Sequence, residues 1–255
     1  MDAFLYIFLA CVGAAIGSFL NVLIFRIPEG QSIVLPSSHC QKCGHGIRVY
    51  DNIPIISYVI LRGKCRDCHD KISLQYPIVE AITAVMSLLL FVKFGLSFKY
   101  LASFIFTCAL IVITFIDLRH QIIPDVISLP GIPVFFFLAV FVMNLTVWES
   151  LLGIFIGGGS LFLIAFVYEI ITKREGMGGG DIKLLAMLGA FLGWKSLFFV
   201  LFVSSLLGAV VGISAMIMKG QDTKYAVPFG PFLSVAAVAY LFVGAAVTKF
   251  LFFYY

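Results

Sequence analysis

Charge is what this sequence has least of. Of its 255 residues only 12% are Asp, Glu, Lys or Arg, about half the share found in soluble domains. Hydrophobic residues make up 62%, and the mean hydropathy is +1.10. This composition excludes a water-soluble globular enzyme and places most of the chain in lipid. Also missing is a basic n-region followed by a small-residue cleavage site. The first apolar stretch is therefore expected to be a retained membrane helix and not a secretory signal. No glycine-rich nucleotide loop follows a strand pattern, and no nucleic-acid partner is expected. Cysteine is sparse, with six in all. Cys11 and Cys108 stand alone in apolar runs and read as small core residues, while the other four fall in two pairs.

A helix needs roughly 20 apolar residues to cross the hydrocarbon core. Stretches that meet or approach this lie at about 3–25, 77–95, 98–117, 127–146, 150–171, 182–194, 197–218 and 228–252, the sixth being short. The expected fold is an all-α polytopic membrane protein of about eight transmembrane helices. Loop charge sets its orientation. With the N-terminus outside, every basic residue except Lys93, Lys99, Lys195 and Lys249 falls on the cytosolic side. Arg26, Lys42, Arg48, Arg119, Lys173, Arg174, Lys183, Lys219 and Lys224 are among those inside. Three regions result: a first transmembrane helix over 1–25, a cytosolic polar segment over 26–76, and a seven-helix membrane domain over 77–255.

The polar segment is too short for a large core and needs a staple. Cys40-Gln-Lys-Cys43 and Cys65-Arg-Asp-Cys68 are 21 residues apart. Two thiolate pairs at such a spacing suit a tetrahedral Zn2+ fed by two tight knuckles, as in a zinc ribbon. Two disulfides or a redox-active pair fit the same spacing. A cytosolic location disfavours stable disulfides, and no βαβ pattern surrounds either pair. A closed four-cysteine site would hold the fold and leave no position for substrate. His39, His45 and His69 lie nearby and are read as solvated or supporting.

Acidic residues in or beside membrane spans are costly, at about 2.5–3.5 kcal/mol near a helix centre. Those here are Glu80, Asp117, Asp125, Glu169 and Asp181. Asp117 ends the third expected span, and Asp181 follows Gly178-Gly179-Gly180 at the start of the sixth. The topology brings both to the cytosolic face. Two carboxylates can share a proton, so that one activates water while the other protonates the departing group. Each acid also has a plainer reading. Asp181 and Asp125 could cap helices, and Asp117 could pair with Arg119. Lys183, in the first turn with Asp181, could hold its charge or snorkel to headgroups. Gly153 and Gly157 have the small-xxx-small spacing of helix packing.

The motifs around these residues resemble those of the type IV prepilin peptidases, the bifunctional leader peptidase/N-methyltransferases of type IV pilus and type II secretion systems. Gly17-Ser-Phe-Leu-Asn21-Val-Leu-Ile-Phe-Arg26 precedes the double Cys-x-x-Cys segment. That segment also carries Asn52-Ile-Pro-Ile-Ile-Ser57-Tyr58 and leads to Tyr76-Pro-Ile-Val-Glu80. Asp117-Leu-Arg-His-Gln-Ile-Ile-Pro124-Asp125 resembles the first aspartate motif. Gly176-Met-Gly-Gly-Gly-Asp181-Ile-Lys183 contains the Gly-x-Gly-Asp signature from Gly178 to Asp181, and Pro228-Phe-Gly-Pro231 resembles the last span. The resemblance implies an aspartic endopeptidase with Asp117 and Asp181 as catalytic pair, supported by Gly178, Gly180, Lys183 and Asp125. It implies cleavage of the basic leader of prepilins and pseudoprepilins after glycine, at the cytosolic face of the bacterial inner membrane. It also implies N-methylation of the new N-terminus from S-adenosylmethionine, whose binding residues the motifs do not identify. The segment 26–76 is a candidate for the methyltransferase part.

Two other classes share some of these features. A presenilin-like peptidase shares Gly-x-Gly-Asp but is at odds with the double Cys-x-x-Cys segment. A transporter could use both aspartates as ion ligands, but transporters bind near the bilayer midplane.

Overall fold

The computed structural model describes residues 2–173, 178–219 and 228–252. Arg174, Gly176, Met177 and Lys224 lie outside the described residues. Helices run in the order α1 (Asp2–Arg26), α2 (Ile56–Ile60), α3 (Gln75–Phe94), α4 (Phe98–His120), α5 (Asp125–Phe141), α6 (Val147–Thr172), α7 (Gly179–Leu192), α8 (Trp194–Lys219) and α9 (Gly230–Phe252). All eight expected spans are thus helical. Between α1 and α3 lies the polar segment, with α2 inside it.

Six of these helices, α1, α3, α4, α6, α8 and α9, are long and apolar enough to cross a bilayer. The 17 residues of α5 rise about 26 Å and the 14 of α7 about 21 Å, short of the roughly 30 Å core. The shortness of α7 has a packing reason. Every residue from Leu184 to Phe191 is buried, so protein and not lipid surrounds it, as expected for a helix that is apolar all round.

Hydropathy misplaced several helix ends. α5 stops at Phe141 and not at 146, and Thr146 instead begins α6 through a capping box. The Glu149 N–H donates to Thr146 Oγ1 at 3.2 Å, and the Thr146 N–H donates to Glu149 Oε2 at 3.2 Å. α4 continues past Asp117 to His120, where Gln121 adopts a φ of 54° and its N–H bonds the Asp117 carbonyl at 2.9 Å. α7 begins at Gly179, three residues before the apolar run.

Two compact units divide within α4, at Met1–Val112 and Ile113–Tyr255. In the first, α1 lies along α3. Side chains built at Gly13 and Gly17 would come within 2.9 Å of Ala84 Cα and 2.7 Å of Glu80 Cα, so the small residues permit the close approach usual between membrane helices. Phe25 stacks on Tyr76, and Asn21 Nδ2 donates to the Tyr76 carbonyl at 3.1 Å. In the second unit α7 packs against α5 and α6, and α8 against α9. Gly153 and Gly157 of α6 lie against the backbone of Gly189 and Leu185, which fits the small-residue spacing. Ser150 Oγ donates to the Ala190 carbonyl at 2.6 Å beside them.

Candidate active site and metal centre

The last turn of α4 carries Asp117, which is 5% exposed. The α9 helix starts against it. The backbone N–H of Gly230 donates to Asp117 Oδ2 at 3.0 Å. The first N–H groups of a helix have no partner within the helix, and a carboxylate from another helix here accepts one of them. Only glycine allows this approach, because a Cβ at position 230 would lie 2.6 Å from Asp117 Oδ2.

Asp181 is the third residue of α7 and is half-buried. The N-cap is Gly178, with no side-chain cap, so the capping reading of Asp181 fails. Its neighbour Gly180 packs on Ile123, the same residue that lies beside Gly230 and Asp117. Ile123, in the α4–α5 connection, joins the two surroundings. A Cβ at Gly180 would come within 2.9 Å of Ile123 Cβ, and one at Gly230 within 3.3 Å of Ile123 Cδ1. The start of α7, the start of α9 and the end of α4 therefore meet around Ile123, with both carboxylates among them. Two acids in mutual electrostatic reach titrate as a pair, which is the arrangement needed to share one proton.

Lys183 does not hold the charge of Asp181. Its Nζ binds both oxygens of Asp125, at 2.7 and 2.8 Å, so the partner is Asp125 and not Asp181. Asp125 does not cap its helix either, since Pro124 is the N-cap and no side chain caps the start. The pair ties the first turn of α5 to the second turn of α7. Among the described residues Gly178 has no neighbour within 4 Å of where a Cβ would stand, so no described packing contact calls for a glycine there. The sequence alone assigns Gly230 no role. Its signal was the Phe-Gly-Pro run at a helix start, but the partner lies 113 residues away in sequence.

In the first unit, Glu80 is buried and its Oε2 accepts the Ile55 N–H at 2.7 Å. Ile55 has a φ of 62°, a strained conformation for a β-branched residue. Glu80 thus fastens the polar segment to α3.

The four paired cysteines come together. Their Sγ atoms all lie within 4.8 Å of one another, and Cys40 and Cys68 Sγ are 3.8 Å apart. None of the described cysteines is disulfide-bonded. Each pair forms the same knuckle. The Cys40 N–H bonds the His45 carbonyl and the Gly44 N–H the Cys40 carbonyl; the Cys65 N–H bonds the Asp70 carbonyl and the His69 N–H the Cys65 carbonyl. Gly44 and His69, at matching positions, have φ of 71° and 58°. Isolated bridges His39–Gly46 and Lys64–Lys71 close the two loops. Lys42 to Asp70 at 2.7 Å links one knuckle to the other.

The donor set fits a divalent metal. A tetrahedral ion with Zn–S bonds of about 2.3 Å places its sulfurs ~3.8 Å apart. The sulfurs alone do not ionise together. Backbone N–H groups of Cys43 and Lys42 lower the Cys40 thiol to about 6. Cys68 has the Asp70 N–H to lower it, yet desolvation and hydrogen bonds shared with Cys65, Cys43 and Cys40 push it up to about 12. A central cation removes that conflict.

Comparison with known proteins covers most of the chain. Residues 11–94 match the Bacterial Peptidase A24 N-terminal domain and residues 104–213 the Type IV leader peptidase family. A prepilin leader peptidase/N-methyltransferase of Pseudomonas putida is 36% identical over 92% of this chain and 90% of its own length. Proteins of the same description from Pseudomonas aeruginosa and Neisseria gonorrhoeae are 34% and 37% identical, over 93% and 89% of the chain and 90% and 86% of their own lengths. No solved structure matches the chain.

Proposed function

This chain belongs to the type IV leader peptidase family, and from that premise we propose that Asp117 and Asp181 perform its proteolysis. The observation that carries the proposal is the convergence around Ile123 of the three helix ends that bear the two acids, with Asp117 held by the Gly230 N–H. One carboxylate takes a proton from water as the water oxygen attacks the scissile carbonyl carbon. The other donates a proton to the carbonyl oxygen and, as the C–N bond breaks, the departing nitrogen ends protonated. The products are a leader with a free carboxyl group and a mature chain with a free amine. The Gly230 N–H holds Asp117 in place for both steps.

The substrates are prepilins and pseudoprepilins, cut after glycine between the basic leader and the apolar helix. The basic-residue bias supports a bacterial inner-membrane protein with this site at the cytosolic face. Cys40, Cys43, Cys65 and Cys68 would hold a Zn2+ whose contribution is to staple segment 26–76, with no coordination position left open. S-adenosylmethionine, when bound, supplies the methyl group for the new N-terminal amine. Segment 26–76 is the proposed methyltransferase part, and 77–255 the peptidase.

The test is mass spectrometry of a prepilin incubated with the reconstituted protein and S-adenosylmethionine. Loss of the leader and gain of one methyl on the mature chain are expected. Proton-coupled flux with an intact prepilin would favour the transporter reading.

A further inference from the structure

The cations of the polar segment fall into two groups. Lys42 pairs with Asp70, Arg66 with Asp51, and Arg48 with Asp67 at 3.8 Å. Arg26 donates to the carbonyls of Ser32 and Pro36. Arg62, Lys64 and Lys71 form no ion pair among the described residues, and all three are exposed. These three line one cavity of about 490 Å³, together with Tyr58, Ser73 and Leu74. Among the described residues no acidic side chain lines it.

The location of the cavity narrows what it can hold. Ser73 and Leu74 immediately precede α3, whose apolar span begins at Gln75, so the cavity opens where that span leaves the hydrocarbon core. Apolar side chains beside it face outward: Val59 is 68%, Ile60 69% and Leu74 64% exposed. Three unpaired cations together with exposed aliphatic groups at the start of a membrane helix form an interfacial surface. Water alone would satisfy the cations but not the aliphatic groups. A basic leader peptide would be repelled, and so would the sulfonium of S-adenosylmethionine.

We propose that Arg62, Lys64 and Lys71 form a binding site for the headgroup phosphate of an anionic phospholipid, with Val59, Ile60 and Leu74 resting on its acyl region. The backbone favours this geometry. Arg62 and Gly63 have φ of 51° and 67°, and the Ile72 N–H bonds the Gly63 carbonyl at 2.8 Å, which turns Arg62 and Lys64 onto the strand of chain that bears Lys71. Basic side chains near a bilayer surface each strengthen anionic-lipid binding by roughly fivefold. The site is independent of Asp117 and Asp181, and its test leaves the peptidase reading untouched.

The test is native mass spectrometry of the full chain, equilibrated in detergent with equal amounts of phosphatidylglycerol and phosphatidylcholine. The wild type is expected to retain phosphatidylglycerol preferentially. The variant Arg62→Gln/Lys64→Gln/Lys71→Gln should lose that preference by roughly fivefold or more. A control that removes equal charge away from the polar segment, Lys93→Gln/Lys99→Gln/Lys249→Gln, should keep it. The single variants Arg62→Gln and Lys71→Gln, checked for unchanged thermal unfolding, replace the triple variant if that does not fold. An unchanged preference in the Arg62, Lys64 and Lys71 variants would overturn the site. Equal loss in the control would reduce it to bulk charge. Displacement of the lipid by millimolar inorganic phosphate would show a free-anion site and overturn the lipid assignment.

Discussion

Replacing Gly230 by alanine adds one methyl group, and the structure fixes where it goes. It would stand 2.6 Å from Asp117 Oδ2 and 3.3 Å from Ile123 Cδ1. To regain ordinary contact the carboxylate must retreat by about 0.8 Å, and the 3.0 Å bond from the Gly230 N–H is stretched or lost. A hydrogen bond to a charged group contributes about 1.5–3 kcal/mol, and a displacement near 1 Å at reacting groups costs on the order of 100-fold in rate. Gly230→Ala is therefore expected to slow prepilin cleavage by roughly 10- to 100-fold, mainly in kcat, because the change acts on a reacting group and not on a substrate pocket. The assay is single-turnover cleavage of a prepilin peptide in proteoliposomes. Gly212→Ala, on α8 with nothing among the described residues within 4 Å of its added methyl, serves as control and should stay within about twofold of wild type. Cleavage by Gly230→Ala within that same range would refute the claim that this contact positions Asp117.

Two further outcomes follow from the geometry. Removing the metal with a chelator, or replacing Cys40 or Cys68 by serine, should abolish a stoichiometric zinc signal in atomic emission and open segment 26–76 to limited proteolysis, because binding energy at a structural zinc is folding energy; continued protease resistance of the metal-free segment would contradict the staple. The Asp125–Lys183 pair has side chains 57% and 35% exposed, so Lys183→Gln should lower the unfolding temperature by at most roughly 2–4 °C. Asp125→Lys/Lys183→Asp should recover part of that loss in differential scanning calorimetry, and no recovery would mean that the pair does not tie α5 to α7.

Helix existence was readable from hydropathy because every apolar run but the short sixth approaches the length of a membrane span. Helix ends were less so. Thr146 and Glu149 show a capping box in their spacing, but Val142, Met143 and Leu145, broken only by Asn144, carried the apolar signal past the helix end and masked it. Gln121 closes α4 in a left-handed conformation that no residue type announced. The four cysteines were legible because ligand spacing within each knuckle is local. The aspartates were legible as unusual, but their surroundings were not. Asp117 meets Gly230, and Lys183 meets Asp125, across separations of 113 and 58 residues, and only the packing of α4, α5, α7 and α9 sets those contacts. A lysine two residues after Asp181 suggested a local partner, but residues i and i+2 of a helix do not face each other.

The central claim is that Asp117 and Asp181 act together on the scissile bond. Mass spectrometry of a prepilin peptide incubated with Asp117→Asn, Asp181→Asn or wild-type protein in liposomes tests it most directly, with correct insertion checked by protease protection. Each amide keeps the size of the side chain and removes its proton exchange. Both variants are expected to lose at least about 10³-fold in cleavage, and the double variant no more than either alone, because the pair works as a unit. Cleavage by either single variant at a rate near wild type would contradict the account.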